Sequence, residues 1–237
     1  ETVVEVPNRP SGLGWLPDGR LLVVSMTDRR LLRLDPEGLI EVADLGDLAS
    51  NYCNDMVVDR QGRAYIGNFG LALDEGASRA SAEIVMVTPE GEARVVADEM
   101  AFPNGTVITP DGQTLIVGES SGARLTAFDI QTDGSLTNRR VWASLEGAVP
   151  DGICLDAEGA IWVASPVSAE VLRVREGGEV AVRVKVATQA YACMLGGPER
   201  RTLFVLTAKS STPEEVQTQK AGRIETVEVE VPGAGLP

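Results

Sequence analysis

Residues 103–118, PNGTVITPDGQTLIVG, place an Asn-Gly and an Asp-Gly pair seven residues apart, with one short alternating run between them. Both dipeptides are hairpin signals, yet two tight hairpins cannot bracket so brief a strand. The stretch has copies elsewhere: PSGLGWLPDGRLLVVS (10–25), CNDMVVDRQGRAYIGN (53–68), PDGICLDAEGAIWVAS (150–165) and, more weakly, YACMLGGPERRTLFVLT (191–207). In the four clear copies a small polar residue precedes a turn glycine by eight positions: Ser11/Gly19, Asn54/Gly62, Asn104/Gly112 and Asp151/Gly159. In the weak copy Ala192 and Arg200 take those places. Successive copies start 43, 50, 47 and 41 residues apart. Short strands repeating at that period are the signature of β-propeller blades.

Within each copy two strands flank the turn, and a third and a more polar fourth follow. The third strands are read at 30–35, 83–88, 124–129 and 170–175, and the fourth at 39–45, 93–99, 139–145 and 180–186. Their valine-rich alternation suits stacked sheets. The fifth copy has a third strand at 222–232 but no fourth, while ETVVEVP (1–7) is a strand with no blade before it. Pairing the two would close a ring and remove an exposed sheet edge. The expectation is an all-β propeller, one domain over 1–237, with five blades and the N-terminal strand completing the last.

Composition narrows the chemistry. A net charge of −14 argues against a nucleic-acid partner. The absence of histidine removes the commonest general base, the Ser-His-Asp triad and most zinc sites. No apolar run approaches the ~20 residues of a membrane span. Three cysteines without metal-type spacing, Cys53, Cys154 and Cys193, read as buried thiols of a reduced, cytoplasmic protein. Trp15 and Trp162 read as blade-packing residues.

The innermost strand of each blade starts at one mouth of the channel, so Ser11, Asn54, Asn104, Asp151 and Ala192 form a ring there. Asn and Asp supply hard oxygen donors that suit Ca²⁺ or Mg²⁺. The ends of the second strands add Asn68, Glu119 and Ser165 as an outer ring. Two longer segments at the same mouth, 70–82 and 209–222, read as lids or as mobile loops.

YCNDMVVDRQGRAYIGNFG, FPNGTVITPDGQTLIV and VPDGICLDAEGAIWVAS, in that order, resemble the senescence-marker-protein/gluconolactonase family of regucalcin-like, six-bladed propellers. The resemblance implies a divalent metal at the mouth, calcium first, with Mg²⁺, Mn²⁺ or Zn²⁺ as alternatives. It implies Asn104 and Asp151 as metal ligands, Asn54 beside the metal or the substrate, and Asp151 as general base. It implies hydrolysis of a small lactone or ester, or of organophosphates as in some relatives; by their places at the mouth, Tyr52, Ser11 and Glu119 join Asn54 as candidates around the substrate. The competing expectation is a non-catalytic propeller used as a binding scaffold. Two departures stand out. The family's early Glu-x-Pro-x-Trp is met by Ser11-Gly12-Leu13-Gly14-Trp15, without an acid, so that either a first blade precedes Glu1 or the ring re-closes with five. Loss of that Glu implies a weakened metal site and impaired activity, unless Glu119 reaches the axis. Tyr52 also stands where sugar-lactonases of the family often have Arg. The expected state is a monomer, or an oligomer exchanging strand 1–7.

Overall fold

The computed structural model describes residues 2–70 and 81–234. Five antiparallel sheets follow one another along the chain, each built in strand order. The first holds β1 (Pro10–Trp15), β2 (Leu21–Ser25), β3 (Arg30–Asp35) and β4 (Gly38–Asp44). The second holds β5 (Cys53–Val58), β6 (Ala64–Asn68), β7 (Ala82–Val87) and β8 (Ala93–Met100). The third holds β9 (Pro103–Ile108), β10 (Thr114–Glu119), β11 (Arg124–Ile130) and β12 (Leu136–Ser144). The fourth holds β13 (Ile153–Leu155), β14 (Ile161–Ser165), β15 (Glu170–Val174) and β16 (Val180–Lys185). The fifth has β17 (Gln189–Gly196), β18 (Thr202–Ala208) and β19 (Arg223–Glu228). These are the blades of a β-propeller, all-β as the repeat requires.

Each blade buries its alternate apolar residues against the next. Leu22, Val24 and Leu31 of blade one pack with Ala64, Ile66 and Val85 of blade two. Cys154, Trp162 and Val171 of blade four pack with Cys193, Leu203 and Val205 of blade five. At ~25 cal/mol per Å² of apolar surface, these inter-blade layers are the main stabilising term. The turn glycines serve the hairpins: Gly112 has φ +75° and its N–H donates to the Thr109 carbonyl at 2.8 Å.

The expected closing strand is not present. Residues 2–7 belong to no strand, and the fifth sheet has three strands. The chain leaving this segment is tied instead to blade one, where the Asn8 and Arg9 carbonyls accept from the Thr27 and Met26 N–H groups. Leu13 and Trp15 of blade one and Met194, Leu206 and Ile224 of blade five are exposed, so among the described residues Trp15 is not buried between blades, whereas Trp162 is fully buried as expected. A cavity of about 440 Å³ runs along the channel and reaches Leu13 and Trp15 on one side and Met194 and Leu206 on the other.

After β19 the chain crosses under blades four and five, at the end opposite the mouth. There Gly233 and Ala234 donate to the carbonyls of Arg200 and Leu155, and Ala157 donates to that of Pro232. The segment 209–222 carries a short helix, α1 (Pro213–Gln219), rather than only a loop. Of the other expected lid, residues 71–80 lie outside the described residues.

Candidate functional site

The innermost strands carry an irregularity where they start. Register shifts fall between Pro10 and Leu13 in β1, between Cys53 and Met56 in β5, opposite Val117–Glu119 in β9, and between Ala190 and Ala192 in β17. A bulge re-aims the side chains beside it. Ser11, Asn54 and Asn104 sit in three of these bulges, at the channel mouth. Asp151 reaches the same position just ahead of β13, held by its N–H donating to the Ala164 carbonyl at 2.9 Å.

Close packing around the axis explains the glycine after the polar residue. A Cβ on Gly105 would lie 2.5 Å from the Ile153 nitrogen and 2.6 Å from the Asp151 oxygen. Gly12 and Gly152 meet the backbone of the next blade in the same way. The fourth member of this register is Asp55, a side chain where its equivalents have none. It lines the channel cavity at the mouth end.

Asp55 is the residue that reasoning from the repeat overlooked. Its carboxyl is pushed up to about 6 by desolvation. Asp151 is pushed up to about 7, first by desolvation and then by the charge of Asp55, against the lowering effect of a hydrogen bond from Asn104. Two carboxylates that repel each other where burial strips away part of their water hold protons more tightly. The rest of the mouth network is polar and neutral. Ser11 Oγ donates to Asn54 Oδ1 at 3.3 Å, and Asn104 Nδ2 donates to Ser120 Oγ at 3.1 Å. Ser120 Oγ in turn donates to the Pro150 carbonyl at 2.6 Å, tying blade three to the residue before Asp151. Asn54 and Asn104 are buried; Ser11, Asp55 and Asp151 are half-buried.

The outer ring has a different task. Glu119 is fully buried and faces its own blade: it accepts from Arg124 Nε at 2.8 Å, from Thr126 Oγ1, and from the Ala101 N–H at 2.7 Å. Burial alone would raise its pKa, but these donors hold it below the usual carboxylate range. Glu119 is therefore committed to its own blade and reaches neither Asn54 nor the axis. Ser165 Oγ accepts from the Val149 N–H at 3.1 Å, and Asn68 Oδ1 accepts from Ser50 Oγ at 3.3 Å. All three anchor the loop that enters an innermost strand. Ala192 offers no polar group, but the preceding Tyr191 carbonyl accepts the Gly152 N–H at 2.9 Å. Tyr52 is half-buried at the rim, edge-on to Phe69 with ring centroids 6.4 Å apart.

Other strong candidates resolve as scaffolding. The buried carboxylates of Asp59 and Asp156 sit in the hairpin turns at the opposite end, bonded to Arg63 and Arg173. All three thiols are buried, and burial pushes Cys53 up to about 12. Cys154 and Cys193 touch across blades four and five, with sulfurs 3.9 Å apart.

The mouth thus offers two carboxylates, Asp55 and Asp151, and two amide oxygens, Asn54 and Asn104. Among the described residues no group of three or more acidic, thiol or imidazole side chains stands close enough to hold a metal by itself. An ion there would depend on the amides. The donor set fits a hard divalent cation: it is all oxygen, and among the described residues no cationic side chain offsets its paired, desolvated carboxylates.

A propeller with hard oxygen donors gathered at one mouth defines the class. The chain belongs to the SMP-30/Gluconolactonase/LRE-like family, whose description it matches over residues 1–209. It is 27% identical to a 6-deoxy-6-sulfogluconolactonase from Pseudomonas putida, covering 78% of this chain and 64% of the relative. It is 30% identical to regucalcin from Danio rerio, covering 70% of this chain and 58% of that one. The chain therefore spans about three-fifths of the length of these relatives. A calcium-binding regucalcin from Agrobacterium tumefaciens superposes with a TM-score of 0.81 at 25% identity, covering 100% of this chain and 81% of that structure.

Proposed function

We propose that this chain hydrolyses a lactone at the channel mouth, with Asp151 as general base and a divalent cation, calcium first, held by Asn104, Asp151 and Asn54. The reading rests on one observation: Asn54, Asp55, Asn104 and Asp151 converge at the mouth of a gluconolactonase-family propeller, with both carboxyls desolvated. A bound cation would supply Lewis acidity and the positive charge that the two carboxylates lack. Asp151 takes the proton of the attacking water; the Asn104 amide orients its carboxylate and disfavours premature protonation. Asn54, steadied by Ser11, presents its amide to the ring oxygens of the substrate. Ser120 fixes Asn104 and the approach to Asp151 together.

A second reading, a non-catalytic binding propeller, is favoured by Glu119 being committed to Arg124 and so withheld from the axis. Calcium titration by calorimetry, with hydrolysis of simple lactones followed by proton release, separates the two. The expected result is saturable calcium binding and hydrolysis that Asp151→Asn reduces by at least about 100-fold, the usual weight of a positioned base. If no divalent metal binds and Asp151→Asn hydrolyses lactones as the parent does, the enzyme reading is lost.

A further inference from the structure

Three aromatic side chains meet at the rim of the mouth. Tyr52 lies two residues before Asn54, Phe102 two residues before Asn104, and Phe69 directly follows Asn68 at the end of β6. Starts of innermost strands and ends of second strands share one edge of the propeller, so all three leave the sheet towards the mouth. Phe69 is the centre: its ring stands edge-on to Tyr52 at 6.4 Å and 69°, and to Phe102 at 4.8 Å and 75°. The Phe69 N–H also donates to the Tyr52 carbonyl at 3.0 Å. Phe102 is held at φ +61°, a costly conformation for a bulky residue. The Ser120 N–H fixes it by donating to its carbonyl at 3.0 Å.

These rings are not core filler. The chain has four phenylalanines and three tyrosines, and those that serve the core, Tyr65 and Phe128, are 1% and 3% exposed. Tyr52, Phe69 and Phe102 are each only half-buried, so part of their apolar surface stays exposed at this edge of the propeller. The charges beside them are negative: Asp55 and Asp151. Arg124 and Arg139 on the neighbouring strands are both drawn to Glu119, and Arg29 donates to the Ala49 carbonyl. The two phenylalanine rings offer an anionic substituent no hydrogen-bond donor, and Tyr52 offers only its hydroxyl. On this side of the mouth the hydroxyls of a polyol would face ring edges, while the polar side chains Asn54 and Asn104 lie two residues further along each strand.

Accepting the lactonase reading above, we propose that Tyr52, Phe69 and Phe102 form the recognition wall for an apolar substituent, so that the substrate is a lactone carrying an aryl or alkyl group. Edge-to-face packing against an aryl ring is the geometry these rings already adopt with one another. The wall contacts the part of the substrate remote from the carbonyl, so its main effect falls on KM.

The test compares γ-phenyl-γ-butyrolactone with γ-butyrolactone and gluconolactone, and measures binding of the matching γ-phenyl lactam, which resists hydrolysis, by calorimetry. The phenyl group should raise kcat/KM by about tenfold or more over the unsubstituted lactone, as an added apolar group in a fitting pocket does. Gluconolactone should be the poorest of the three. Phe69→Ala and Tyr52→Arg should bring the phenyl-to-unsubstituted ratio close to one, while Phe69→Leu keeps part of it. The ratio is internal to each variant, so a partly unfolded preparation lowers both substrates together; Tyr52→Arg, at a half-exposed site, serves if Phe69→Ala does not fold. Hydrolysis with no phenyl preference, or a preference for gluconolactone, overturns the wall and leaves the lactonase standing. Tight, Phe69-dependent binding of the phenyl lactam without hydrolysis of any lactone does the reverse.

Discussion

Asn104-Gly105 and Asp111-Gly112 look alike in sequence, lie seven residues apart and bound the same strand, β9. Their physical situations are opposite. Gly105 is pressed against the backbone of blade four, with room for no Cβ, while the space around Gly112 is empty within 4 Å and its φ is +75°. Asn104 is buried and turned to Asp151. Asp111 is exposed and folds back on its own turn, accepting from Thr109 Oγ1 at 2.6 Å and from the Gln113 N–H at 3.0 Å. One glycine is required by a neighbouring chain and the other by its own dihedral. One polar side chain is aimed at the axis and the other caps a turn.

The sharpest test of that division is activity. Asn104→Ala removes the hydrogen bond that orients Asp151 and one of the candidate metal donors, and should lower lactone hydrolysis by about 100-fold. Asp111→Ala should leave kcat/KM within about twofold, since surface changes away from a site seldom reach it. If the two variants lose activity equally, the mouth assignment of Asn104 fails.

Next in size is stability. Gly105→Ala forces a methyl against backbone atoms that cannot swing aside, and should cost about 3 kcal/mol, the upper range for overpacking. Gly112→Ala meets nothing and incurs only left-handed backbone strain, roughly 1 kcal/mol. Urea midpoints of the two variants read the difference directly. Equal costs would mean that the innermost strands yield, and that the channel is looser than its packing indicates.

The repeat made the blades legible because each level of the sequence agrees: turn glycine, valine alternation and polar outer strand recur together. Third strands at 30–35 and 124–129 appear almost as read, as β3 and β11. That Asn54, Asn104 and Asp151 share one mouth was legible for the same reason, as one position kept polar across copies. What was hidden depended on contacts between copies. Asp55 looked like a variable neighbour, because the glycines it replaces are fixed by the adjacent blade rather than by any local rule. Glu119 shares a register with Asn68 and Ser165, and only the position of Arg124 and Thr126 shows that it turns inward. The segment 1–7 alternates like a strand, but alternation does not say whether a partner edge lies within reach. The helix α1 does carry a local signal: Thr212 before Pro213, then Glu214 and Glu215 in the first turn.

The smallest effect comes from the acids next to the two glycines, and its sign differs between them. Asp151 and Asp55 have folded pKa values raised to about 7 and about 6, above the 3.8 of a free aspartate. Between pH 4 and 7 the metal-free fold therefore binds more protons than the unfolded chain, and stability falls as pH rises through that window. Asp111 is lowered, by Thr109 and the Gln113 N–H, so its contribution is present at neutral pH and is lost as pH falls below 3.8. Thermal unfolding in a chelator, from pH 3 to pH 8, should show Asp151→Asn gaining on the parent as pH rises towards 8. Asp111→Asn should trail the parent at pH 7 and converge with it near pH 3. Calcium should raise the unfolding temperature of the parent most at the alkaline end, where both mouth carboxylates are ionised and their repulsion is unrelieved. Parallel curves for Asp151→Asn and the parent across the whole range would show that the mouth carboxyls are solvated, and with that the case for a dry, cation-seeking pair would be gone.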